Sequence, residues 1–248
     1  MVDLVAEFFR RLADAHQINY SIFYDPLDGG RFLLGLQTTI YLSIVCILLS
    51  LVIGVTGAWL QGARSWIARG LVQAYVQFFR NTPPLVQLAF FYFAVSSLLP
   101  TLTVDGSPTP LVSNIGWAIM SFSLFAGAFN VEIFRSGIEA VPSATIEAAE
   151  SLGYTRLRAY LYVVLPLAFR IALPALNNNL VNLVKTTTLA YAIAVPELLY
   201  AAAQIWSEVL NVREMMNVLL VSYVAIVALL VWIMGRWERA LRVPGYSI

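Results

Sequence analysis

The stretch FLLGLQTTIYLSIVCILLSLVIGVTGAWLQGA, residues 32–63, runs for 32 residues without one charged side chain. About 18 to 20 apolar helical residues cross the ~30 Å hydrocarbon core of a bilayer, so this segment reads as a transmembrane helix with length to spare. The rest of the chain agrees. Of its 248 residues 60% are hydrophobic and 12% charged, about half the ~25% charge usual in soluble domains. A soluble fold of this size would leave too much of that surface in water. A water-soluble enzyme is excluded on that ground.

The scarce polar residues exclude more. Among the 15 cations only Lys185 is a lysine. It follows Val184, not the glycine of a phosphate-cradling loop, where backbone amides and a lysine hold the phosphates. One histidine, His16, and one cysteine, Cys46, leave neither a disulfide nor a His/Cys metal cluster, and Cys46 reads as a small buried residue. A net charge of +1 gives nucleic acid nothing to bind.

Working outward, residues 1–31 are no cleavable signal, because Asp3, Glu7, Arg10, Arg11 and Asp14 interrupt any apolar run. Val5, Phe8, Phe9 and Leu12 recur opposite those charges, which predicts a short amphipathic helix on a surface. A loop over 18–30 follows. Residues 71–99 form a second span, interrupted at Phe79-Arg80-Asn81-Thr82-Pro83-Pro84, since two prolines fix φ and remove two amide donors. Residues 100–110, with Asp105-Gly106 and three prolines, read as a turn-rich loop. A third span over 112–134 carries Glu132. Residues 136–165 are the longest polar stretch. A fourth span covers 171–196, a surface or re-entrant helix 197–214, and a fifth span 215–235. Five spans put the termini on opposite faces. One face collects ten arginines, from Arg64 and Arg69 to Arg236, Arg239 and Arg242; the other has Arg10, Arg11, Arg31 and Arg213. The positive-inside rule makes the first face cytoplasmic and the N-terminus external.

Within the polar stretch, Pro142-Ser-Ala-Thr-Ile-Glu-Ala-Ala-Glu-Ser-Leu-Gly153 predicts a helix near 144–152. Ser143 is a suitable N-cap, Glu147 and Glu150 lie toward the positive end of the dipole, and Gly153 suits a left-handed C′ position. Thr145, Ala148, Ala149 and Leu152 share a face by i, i+3, i+4, i+7 spacing. Such a helix fits a partner's groove; packing on its own domain is the equal alternative.

These residues carry a resemblance. Glu147-Ala148-Ala149, Gly153 and Val164-Leu165-Pro166 resemble the EAA loop of ABC importer permeases, whose coupling helix docks on the ATPase. Phe79-Arg80-Asn81-Thr82-Pro83 with Gln87 is similar to the F-R-x-T-P…Q signature of polar amino acid uptake permeases, the histidine, glutamate, glutamine and arginine type; Asn81 and Pro84 depart from it. Glu132-Ile133 with Arg135 and Gly137-Ile138-Glu139-Ala140-Val141 fit the approach to the loop. Asn182-Leu183-Val184-Lys185 with Thr187, then Val195-Pro196-Glu197-Leu198-Leu199, fit the fourth span and its exit.

The resemblance covers about residues 32–245 and implies an all-α type I ABC importer transmembrane domain: five helices and a coupling helix at about 143–153. Residues 1–31 lie outside it. It implies a non-catalytic, multi-pass subunit of a bacterial inner membrane, with its N-terminus periplasmic and its C-terminus cytoplasmic. Its partners are two ATP-binding subunits holding ATP and Mg, a second permease, identical or homologous, a periplasmic amino-acid-binding protein and membrane lipid. The chain itself binds no cofactor, metal or nucleic acid. Coupling falls to Glu147, Ala148, Ala149, Leu152 and Gly153, and a structural turn to Arg80, Thr82 and Pro83.

Polar groups inside spans are costly and tend to be functional. Lys185 stands 15 residues beyond Arg170, about 22 Å of helix rise, well inside the membrane. Asn178, Asn182, Lys185 and Thr186 form one stripe at i, i+4, i+7, i+8, flanked by Asn179 and Thr187. A cation with amides and hydroxyls suits the charged ends of an amino acid; the alternative is an interface where asparagines act as glue. Glu132 is either the counter-charge of Lys185 or a local partner of Arg135. Arg80 is either a gate or turn anchor or, the favoured reading, a snorkelling interface cation. An ion-gradient carrier needs coupling acids near the midplane, which are nearly absent, and a channel has no use for a docking helix.

Overall fold

Sequence dictates where the first long helix begins. Asp25 precedes Pro26, and its Oδ1 accepts from the amides of Leu27 (2.8 Å) and Asp28 (3.3 Å). An aspartate cap followed by proline in the first helical position is a strong start. In the computed structural model, which describes residues 2–104 and 107–241, helix α2 therefore spans Pro26–Gln61. The loop expected over 18–30 ends earlier, after the amphipathic α1 (Val2–His16) and a 3-10 turn at Ser21–Phe23. The Asp105-Gly106 turn and Arg242 of the basic face lie outside the described residues.

The double proline splits what the sequence presents as one span. Helix α3 runs over Trp66–Asn81 and α4 over Pro84–Ala89, continuing through a π turn and a 3-10 turn to Leu98. Among the described residues four helices are long and apolar enough to cross a bilayer, Pro26–Gln61, Asn114–Glu139, Arg156–Ile193 and Val212–Ala240, and Pro84–Leu98 is a shorter apolar helix. Pro83 and Pro84 bring no amide to the carbonyls closing α3. Gln87 supplies one instead: its buried Nε2 lies 2.9 Å from Phe79 O, 3.0 Å from Thr82 O and 2.6 Å from Thr82 Oγ1. Thr82 Oγ1 in turn donates to Phe78 O at 2.7 Å. The spacing from Phe79 to Gln87 is thus a device that satisfies a broken helix end.

The expected loop over 100–110 is instead a hairpin of β1 (Thr101–Val104) and β2 (Ser107–Pro110), paired Thr101↔Pro110 to Val104↔Ser107. Both strands are edges, where proline is tolerated. Beyond it come α5 (Asn114–Glu139), α6 (Ser143–Ser151), α7 (Arg156–Ala159) and a π turn at Tyr160–Val164. Then follow α8 (Leu165–Thr186), a 3-10 segment Thr187–Ile193, α9 (Leu198–Val209) and α10 (Val212–Ala240).

The chain forms two compact units, each drawn from three stretches. The first takes residues 1–45, 88–119 and 184–228. Its core is Leu198, Ala202, Ile205, Met215 and Leu219, with Phe32 and Leu36 packed against them. The expected helix within 197–214 is α9, and it is part of this core. The second unit takes residues 46–87, 120–183 and 229–248. There α2 lies hard against α5: a Cβ on Gly57 would collide with Val131 Cγ2. Small residues permit such helix approach inside membranes. A buried polar chain locks the same unit, with Asn130 Nδ2 donating to Ser50 Oγ (3.2 Å) and Asn179 Nδ2 to Asn130 Oδ1 (2.8 Å).

Candidate functional site

Helix α6 begins at its expected cap, Ser143, one residue earlier than expected. Pro142, extended at φ −59° and ψ 139°, is the N-cap, and Ser143 makes no capping bond. The Pro142 carbonyl accepts from Thr145 N at 3.0 Å, which starts the ladder. Neither acid lies in the first turn: Glu147 is central and Glu150 next to last. The dipole therefore does not explain them.

The C-terminus does follow the sequence. Gly153 adopts φ +89°, Gly153 N donates to Glu150 O (2.9 Å) and Tyr154 N to Ala149 O (3.1 Å). This is the Schellman arrangement, whose left-handed residue favours glycine.

The expected docking face is divided. Ala149 is buried at 6% exposure, and Ile146 packs on Val141, Val164 and Ala168 of the same chain. Thr145 is half-buried, whereas Ala144, Glu147, Ala148 and Ser151 are exposed. Leu152 is 81% exposed, beside Leu157 at 67% and Tyr154 at 42%. These three apolar side chains are left bare on a polar loop. Leu157 and Tyr154 were not singled out in the sequence, because nothing local distinguishes a bare apolar residue from a packed one.

The stripe on α8 separates on folding. Asn178, Asn182 and Lys185 are exposed and Thr186 is half-buried. Among the described ion pairs none involves Lys185. Thr187 turns inward: it is fully buried, and its Oγ1 donates to Val184 O at 2.7 Å. Asn179 is taken up by Asn130 and, at 3.0 Å, by Ala126 O.

Glu132 has local partners. Its Oε2 lies 2.9 Å from Arg135 Nη2 and 3.5 Å from Arg80 Nη1. The Arg80 guanidinium also sits over the Phe129 ring, 5.3 Å from its centroid. Arg80 is therefore a tie between α3 and α5, not the snorkelling cation favoured from sequence. Thr82 and Pro83 form the turn with Gln87.

Glu197 was quoted only as part of an apolar motif, yet it is a buried carboxylate. It caps α9 by accepting from Leu199 N (2.9 Å) and Tyr200 N (2.8 Å), and Tyr223 Oη donates to it at 3.0 Å. Leu198 N donates to Thr39 Oγ1 at 3.0 Å. Its place directly before an apolar helical run was the available signal. Among the described residues no group of His, Cys, Asp and Glu is arranged to hold a metal.

A broken helix, long apolar helices and a short helix with a bare apolar end on a polar loop are the parts of a membrane subunit that works with a partner. Residues 50–243 match the family described as the binding-protein-dependent transport system inner membrane component, and the chain belongs to that family. It is similar to the glutamate/aspartate import permease protein GltJ of Escherichia coli (strain K12), 30% identical over 214 residues, 85% of this chain and 87% of that one. It is likewise 30% identical over 212 residues to the histidine/lysine/arginine/ornithine transport system permease protein HisM of Salmonella typhimurium, covering 86% and 90%. The fold matches the crystal structure of an amino acid ABC transporter with histidines, with a TM-score of 0.75 and 24% identity over 86% of this chain and 94% of that one. It also matches the inward-facing MetNI methionine ABC transporter, with a TM-score of 0.67 and 21% identity over 88% and 99%. The architecture is thus that of type I ABC importer permeases, and the protein is a multi-pass inner-membrane component.

Proposed function

We propose that this chain is one permease of an ATP-driven importer that carries a polar amino acid inward by alternating access. The bare apolar end of α6, Leu152 with Leu157 and Tyr154, carries the reading, because it is the shape a tethered helix needs to seat in another subunit's groove. Similarity to permeases named for glutamate/aspartate and for histidine, lysine, arginine and ornithine supports the cargo class. Two ATP-binding subunits hydrolyse ATP with Mg, and this chain performs no catalysis. Their closure pushes on α6 and reorients a pair of permeases, identical or homologous, while a periplasmic binding protein delivers the amino acid. The face rich in arginine, including Arg64, Arg69, Arg156 and Arg158, is cytoplasmic, and the N-terminus is periplasmic.

On this reading α3 and Pro84–Leu98 together make the remaining crossing. Exposed Lys185 and Asn182, with Asn178 and Thr186 beside them, contact the amino acid. Glu132, which is ion-paired, and Thr187, which is buried, are further contacts on this reading. Purifying the complex from its native membrane and identifying its subunits tests the assembly. An ATP-binding subunit and an amino acid should accompany the chain; a chain isolated intact without any ATPase would overturn the proposal.

A further inference from the structure

Helix α1 carries more apolar surface than its own chain covers. Along Val2–His16, Leu4, Val5, Phe8, Phe9 and Leu12 share one side by their helical spacing, and Glu7, Arg10, Arg11 and Asp14 take the other. The chain covers one edge of the apolar side. Phe9 is half-buried, its ring stacked on Phe23 at 4.4 Å and set edge-on to Tyr20 at 5.8 Å. The other edge is bare: Leu4 is 75% and Phe8 58% exposed, and Val5 is exposed beside them.

What covers that edge follows from where it leads. The Phe8 ring meets Phe9 at 5.3 Å, Phe9 meets Phe23, and exposed Phe23 stands just before the start of α2. On α2 the exposed Leu27, Leu34 and Tyr41 recur every seven residues and form one apolar row. That row runs straight into the uncharged spanning segment, so it meets lipid. Charges stop at Arg31. Leu27 stands five residues outside Phe32, about 7.5 Å along the helix axis. The headgroup layer is about 5–8 Å deep on each side of the hydrocarbon core, and interfacial helices bury their apolar face about 5–10 Å into it. The foot of α2 and the bare edge of α1 therefore lie at one depth.

The polar side fits the same occupant. Glu7 and Arg11 pair with each other, and Arg10 lies over the Tyr24 ring at 5.7 Å from its centroid. These charges are spent within the segment and ask for no charged partner. Tyr20 and Tyr24 belong to the residue type that gathers at membrane–water interfaces.

We propose that α1 is an interfacial helix, bedded by Leu4, Val5 and Phe8 in the lipid headgroup layer beside the start of α2. This goes beyond the importer reading and does not depend on the cargo. It also gives the segment a task. Asn211, at the joint between α9 and α10, donates through Nδ2 to Asn19 O at 2.9 Å, so bedding α1 ties that joint to the membrane surface.

The assembled complex in phosphatidylcholine vesicles tests it, with a nitroxide attached in turn at Leu4→Cys, Phe8→Cys and Arg11→Cys; the native Cys46 is buried. Two apolar positions guard against one substitution that loosens the helix. Collisions with a water-soluble nickel chelate should be at least about fivefold rarer at residues 4 and 8 than at residue 11, and collisions with oxygen, which concentrates in lipid, more frequent. Adding phosphatidylglycerol or salt should change neither, because α1 has three acids against two arginines and no net positive charge to attract anionic lipid. Nickel access at residues 4 and 8 equal to that at residue 11 overturns the proposal. Few collisions with both probes would mark a face covered by protein, and overturn it as well.

Discussion

Leu152→Asp abolishes coupled uptake while the permease still inserts in the membrane. Leu152 is 81% exposed at the end of α6, so the change removes little packing from its own chain. Its effect falls on whatever covers it. A hot-spot anchor at the centre of an interface contributes about 2 kcal/mol or more, and each 1.4 kcal/mol is tenfold in affinity. A charge in that groove adds a desolvation penalty. ATPase co-purification should fall at least about tenfold, and uptake with it.

Gly153→Val acts on the same helix from within. At φ +89° a side chain costs about 1–2 kcal/mol, and β-branching worsens it, so the last turn loses the geometry that presents Leu152. ATP hydrolysis should persist with little transport. Glu147→Gln, at an exposed position, should weaken coupling without unfolding α6. Ser151→Ala is the control, since its Oγ donates only to Glu147 O, at 2.9 Å. Full coupling in all of these variants would remove α6 from the ATPase contact.

Lys185→Met gives the second large effect. Met keeps length and apolar bulk but no charge. A hydrogen bond to a charged group contributes about 1.5–3 kcal/mol, so uptake should fall ten- to a hundredfold at limiting substrate. Lys185 is exposed at the last turn of α8, and the complex should assemble with unchanged yield. Loss of assembly with the remaining uptake normal per complex would instead assign Lys185 to a subunit interface.

Local signals carried much of the fold. The uncharged run over 32–63, the Pro83-Pro84 break and the glycine at 153 each act through their immediate neighbours, and each forms the element expected of it. Errors arose where a neighbour far along the chain decides. Ala149 looks like a docking residue by periodicity, but folding buries it. Arg80 looks like an interface cation until Glu132 and Phe129 of α5 are brought beside it. Thr187 flanks the polar stripe by spacing, and the helix tightens to 3-10 at that residue and turns it inward. Two misreadings were local and avoidable. Asp25-Pro26 was a helix start hidden by the two glycines after it, and Asp105-Gly106 after the alternating Leu102 and Val104 was a hairpin signal.

ATP-dependent accumulation of a labelled amino acid in liposomes holding the permease pair, its ATPase and the binding protein measures the central claim directly. Accumulation against the concentration gradient should require ATP and the binding protein, persist when ion gradients are collapsed, and vanish with Leu152→Asp. Accumulation that follows an ion gradient and ignores ATP would contradict it.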